Sequence, residues 1–118
     1  MPSNNRDIAS VWDMVQAIQH IQTFAENLSF EDYINDIRTV SAVERQFEIL
    51  GEAARRISDD FRKTHPLIDW QRIVGLRNIV IHRYDEVDQD TLWKIIHSEL
   101  AFLKTQLEAL LPPLPDRQ

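Results

Sequence analysis

The chain has no cysteine, only two glycines (Gly51 and Gly75) and five prolines, three of them crowded into the last seven residues. Without cysteine, disulfides and thiolate metal sites are excluded. With so few breakers, almost nothing but Pro66 punctuates the chain between Asn5 and Leu111. That scarcity, with abundant Leu, Ile, Glu, Gln, Ala and Arg, points to an all-α fold. No N-terminal apolar run resembles a signal peptide, and no stretch reaches the ~18 apolar residues of a membrane span. The expected location is the cytoplasm, with no membrane partner. There is no glycine-rich phosphate loop, no His-Glu-x-x-His and no Glu-x-x-His pair, so no metal or cofactor is expected.

What the chain does have is one domain's worth of amphipathic helix. Its 118 residues, 43% apolar, suit one folded domain over residues 1–111, followed by a loose tail at 112–118. A first helix opens near Arg6 behind Asn4 or Asn5, with Ile8, Val11, Trp12, Val15, Ile18, Ile21, Phe24 and Leu28 at helical spacing. Ser29 and Asp32 form a capping box for a short helix carrying Phe30, Tyr33 and Ile37. A long helix runs from about Thr39 towards Ile57, and Ser58-Asp59-Asp60 stops it and caps a short turn. Asp69 caps a helix starting at Trp70. Asp88 caps a last helix that continues through Leu110 to the prolines. These elements predict a bundle of about four main helices with one or two short ones. Trp12, Trp70 and Trp93 are expected to anchor the core or an oligomer interface. Gly51 lies inside the long helix, where glycine costs about 1 kcal/mol relative to alanine. The close approach of another helix is the expected reason for it.

Net charge is −6, which argues against nucleic acid, but its distribution is uneven. Residues 45–83 hold eight of the thirteen basic side chains and five acidic ones, giving +3 there and −9 elsewhere. A basic face on an acidic protein is compatible with weak phosphate binding, and equally with a solvated face of internal ion pairs.

The stretch Arg77-Asn78-Ile79-Val80-Ile81-His82-Arg83-Tyr84 concentrates the chemistry. Arginine holds phosphates, and histidine moves protons near neutral pH. On a helix Asn78 and His82 share a face, whereas Arg77 and His82 stand about 140° apart. A single plain helix therefore does not bring them together. The long arginine side chain reaching around, a helix end near His82, or a second protomer would. Arg77 also falls on the apolar row of Trp70, Ile73 and Ile81, where a cation needs a partner or an interface. A structural role is the competing explanation: Asn78 and His82 terminating the helix, and Arg77 paired with Glu48 or Glu52. Glu48 and Glu52 share a face, but neighbouring Arg45, Arg55 and Arg56 suggest ion pairing rather than acid catalysis. His20, His65 and His97 lack partners and are read as structural or solvated.

The Arg-x-x-x-x-His-x-Tyr pattern, with Asn directly after Arg, resembles the HepT-type toxins of the HEPN superfamily. Gly51-Glu52-Ala53-Ala54, and Pro66-Leu67-Ile68-Asp69-Trp70 leading into Gly75-Leu76-Arg77-Asn78, are similar to that family's pattern. The likeness covers roughly residues 5–110. It implies a HEPN-type helical bundle that forms a homodimer, with the motif helices facing each other across a cleft. It implies a metal-independent RNA endonuclease in which Arg77, Asn78 and His82 are catalytic. It also implies an MntA-like nucleotidyltransferase antitoxin as partner, which transfers AMP to Tyr84. A non-catalytic helical module that presents nucleotide or substrate to such a nucleotidyltransferase is the alternative.

Overall fold

A computed structural model describes residues 2–81 and 87–113, and every regular element among them is helical. The order is α1 (Pro2–Ala25), α2 (Phe30–Ile34), α3 (Ile37–Arg55), α4 (Asp59–Thr64), α5 (Trp70–Ile81), α6 (Gln89–Ser98) and α7 (Leu100–Glu108). The α3 helix packs against both α1 and α5, and α1 also meets α7. Val11, Met14, Ile18 and Ile21 from α1 bury against Val43, Phe47 and Leu50 of α3. Ile73 and Leu76 of α5, with Leu92, Leu100 and Leu107, complete the cluster. Burying each such side chain contributes about 1.5–3 kcal/mol.

The helix ends follow local chemistry. The Ser29 hydroxyl accepts from Asp32 N at 3.0 Å while Asp32 accepts from Ser29 N, a complete capping box. Ser58, Asp69 and Asp88 each accept a backbone N–H three residues on, from Phe61, Arg72 and Thr91. After α1, Asn27 takes φ of 63°, a left-handed conformation that asparagine tolerates after a helix end.

Four details depart from the sequence-based expectations. The first helix begins at Pro2 rather than near Arg6, because proline is tolerated in a helix's first turn. Ile37 opens α3 instead of closing α2, since Asn35 ends α2 and Asp36 caps α3 through Thr39 N. The final helix is broken at Glu99 (φ −122°). There the Ser98 hydroxyl donates back to Lys94 O at 2.6 Å, which bends helices, and Arg72 grips the Glu99 carboxylate with two hydrogen bonds. Trp12 is 48% exposed and is no core anchor within one chain. Trp70 is buried, and Trp93 packs between Phe30, Tyr33 and His97.

Candidate functional site

The α5 helix carries Arg77 and Asn78, the start of the motif, and a single glycine sets its distance from α3. A Cβ built on Gly51 would lie 2.5 Å from Arg77 Cβ, 3.1 Å from its N and 3.2 Å from its Cα. Only glycine lets the Arg77 backbone come this close, which is the role expected for Gly51. The neighbouring residue supplies the electrostatics: Glu52 Oε2 lies 2.5 Å from Arg77 Nε. Of the two carboxylates anticipated for Arg77, Glu52 is the one engaged. The apolar row under Arg77 is thus interrupted by a matched charge, which lowers the cost of partly burying the guanidinium.

Glu52 also lies 3.5 Å from Arg55 Nη1, and Glu48 lies 3.2 Å from Arg45. The carboxylate pair at positions 48 and 52 is therefore spent on ion pairs. Asn78 is exposed. By helical geometry it shares an outer stripe with Gln71 and Gly75, about 100° round the axis from Arg77. Gln71 is exposed too, and a Cβ on Gly75 would meet nothing within 4 Å. Arg77 and Asn78, adjacent in sequence, thus point to different surroundings. His82 and Tyr84, with Arg83, lie outside the described residues, as does the tail from 114.

The other histidines occupy structural places. His20 Nδ1 is 3.3 Å from Gln46 Oε1, and its ring stacks on Phe24. His65 ends α4 beside Phe61, and its carbonyl accepts from Trp70 Nε1. His97 Nδ1 is 3.0 Å from Trp93 O. Among the described residues no group of three His, Asp or Glu side chains is placed to hold a metal ion, and no helix is long and apolar enough to cross a membrane.

Two polar connections escaped sequence reading. Tyr33, fully buried, donates its hydroxyl to Gln89 Oε1 at 2.5 Å, and Gln89 Nε2 donates to Glu44 Oε2 at 2.6 Å. Burial, and then the Glu44 charge, push the Tyr33 phenol far above its usual range. This chain ties the start of α6, just after the motif, to α2 and α3. Asp7, 2% exposed, accepts from Ser58 N at 2.8 Å and from the Ser58 hydroxyl at 2.7 Å, locking α1 to the start of α4. Asp7 lies four residues before Val11 and seven before Met14, a polar residue on an apolar row, whereas no spacing joins Tyr33, Gln89 and Glu44.

With an all-helical bundle and an arginine fixed on the motif helix, comparison with known proteins settles the class. The family model described as "Ribonuclease HepT-like" matches residues 14–110. The chain belongs to that family of ribonucleases. It is 39% identical over 98 residues to "Probable ribonuclease HepT" of Thermococcus cleftensis, covering 83% of this chain and 89% of that one. It is 36% identical over 106 residues to "Putative RNase MJ1380" of Methanocaldococcus jannaschii, covering 89% and 97%. A bacterial relative, "Putative RNase TTE0752" of Caldanaerobacter subterraneus, is 31% identical over 98 residues, covering 83% and 88%. No solved structure matches.

Proposed function

We propose that the chain is the ribonuclease toxin of a toxin–antitoxin pair, cutting RNA at a site built on Arg77, Asn78 and His82. The observation that carries this reading is Arg77: a partly exposed guanidinium, held in place on the motif helix of a chain from a ribonuclease family. In the reaction, a base removes the proton of a ribose 2′-hydroxyl, and the 2′-oxygen attacks the adjacent phosphorus. The bond to the 5′-oxygen breaks, and that oxygen takes a proton from an acid. The products are a 2′,3′-cyclic phosphate and a free 5′-hydroxyl. His82 carries an imidazole, a group that suits either proton transfer, a role that typically contributes about 10²–10⁴-fold. Arg77 binds the phosphate and stabilises the charge that builds up on its oxygens. Asn78 orients His82 or a phosphate oxygen.

The site is shared by two copies of the chain. Arg77 is drawn towards α3, away from the stripe of Gln71, Gly75 and Asn78 on which a helical continuation would put His82. A second α5 laid across that stripe meets no side chain at Gly75. It brings its own arginine to the histidine of the first copy. The partner antitoxin is an MntA-like nucleotidyltransferase that moves AMP from ATP to the Tyr84 hydroxyl with release of pyrophosphate. The added charge and bulk then repel RNA.

The test is RNA cleavage by the purified chain in EDTA. The parent cuts, while Arg77→Ala and His82→Ala are inactive with dimer and fold retained. Either variant cutting at the parent rate refutes the assignment. A parent that binds RNA without cutting it supports the non-catalytic alternative. Mass spectrometry after incubation with the antitoxin and ATP should find adenylate on Tyr84, and on no residue of Tyr84→Phe.

A further inference from the structure

A free arginine side chain carries about 2 kcal/mol of rotamer entropy, so a phosphate must order it on binding unless the protein has already done so. Two adjacent residues of α3 supply that order. Gly51 lets the Arg77 backbone settle against α3, and Glu52 takes hold of Arg77 at Nε. The guanidinium presents five donors in a rigid fork, and among the described residues its contact is made at Nε, which leaves the Nη edge to face phosphate oxygens. The Arg77 side chain is 29% exposed, enough for a ligand to reach it. Glu52 sits between Arg77 and Arg55, so the three-residue cluster keeps one net positive charge despite the carboxylate.

We propose that Glu52 is a positioning residue of the cleavage site. It fixes the Arg77 guanidinium before RNA arrives and so acts on the rate through Arg77, without touching RNA. The proposal rests on the reading of Arg77 as the phosphate-binding residue. A carboxylate that merely competed with phosphate would act in the opposite sense, and its removal would tighten binding and speed cleavage.

The experiment uses the full chain in EDTA with a labelled mixed-sequence single-stranded RNA. The all-2′-O-methyl version of that RNA, which cannot cyclise, reports binding alone. Glu52→Ala should lower the single-turnover rate about 10–100-fold, the scale of a misplaced catalytic contact. Affinity for the 2′-O-methyl RNA should stay within about threefold, because the guanidinium charge remains. Glu52→Gln keeps the reach of the side chain and an oxygen beside Nε, and should recover most of the rate. Glu52→Ala at or above the parent rate, with Arg77→Ala inactive, overturns this proposal alone. Arg77→Ala at the parent rate removes the underlying reading and the proposal with it. Equal loss in the Ala and Gln variants, accompanied by a matching fall in melting temperature, shows a structural role and also overturns it. If Glu52→Ala does not fold, Glu52→Asp decides. It keeps the charge but is one methylene too short to reach Nε, so it must lose rate while keeping affinity.

Discussion

The two glycines of this chain should respond in opposite directions to the same substitution. Replacing glycine by alanine inside a helix gains about 1 kcal/mol from backbone propensity alone. At Gly51 that gain meets a collision. The new methyl would lie 2.5 Å from Arg77 Cβ and 3.1–3.2 Å from its N and Cα. Carbon atoms prefer a separation of about 3.5–4.0 Å, so α3 and α5 must part by about 1 Å. Backbone atoms cannot rotate aside, which places the overpacking cost near the upper end of about 1–3 kcal/mol. The net expectation for Gly51→Ala is a loss of about 2 kcal/mol, or about 8 °C in Tm for a domain of this size. At Gly75 nothing lies within 4 Å, so the propensity gain stands alone. Gly75→Ala should stabilise the monomer by about 1 kcal/mol, or about 4 °C. Urea and thermal unfolding at two protein concentrations separate monomer stability from assembly. Gly51→Ala unfolding at or above the parent temperature would refute the close approach of α3 and α5. If α5 meets its copy across Gly75, the Gly75→Ala protein also dissociates at a higher concentration than the parent. Unchanged dissociation argues against that interface.

Other consequences can be checked alongside. Asp7→Ala strips a buried acceptor from both Ser58 N–H and the Ser58 hydroxyl and should cost about 2–3 kcal/mol in urea unfolding; a loss below about 0.5 kcal/mol would contradict the lock. Asp36 and Asp88 have carboxyls held below their usual range, first by the Thr39 and Thr91 hydroxyls and then by backbone N–H groups. A folded-state pKa below the unfolded value of about 3.9 gives stability that is present above that value and lost as pH falls through the folded one. Asp88→Asn, which still caps but does not titrate, should therefore lose less stability than the parent between about pH 5 and pH 2; parallel curves would contradict the assignment.

Much of the bundle was legible because helix ends are local. Ser29, Ser58, Asp69 and Asp88 each act within three residues of themselves, so spacing alone located them. The break at Glu99 was not legible, because it depends on Arg72, 27 residues earlier. The Tyr33–Gln89–Glu44 chain spans separations of 56 and 45 residues and follows no period. At the candidate site, the need of Arg77 for a partner was visible from its apolar row. The choice of Glu52 over Glu48 follows from Gly51 beside it. The residue beside the point of closest approach is the one that reaches the opposite helix.

The α3 helix also works as a measuring rod. Glu44 and Glu52 are eight residues apart on it, about 12 Å along the axis. One is tied to Gln89 at the head of α6 and the other to Arg77 on α5. The segment of residues 82–88, which includes His82 and Tyr84, thus joins two helices that are each moored on the same shaft. A substitution in that segment thus leaves the arginine where α3 puts it.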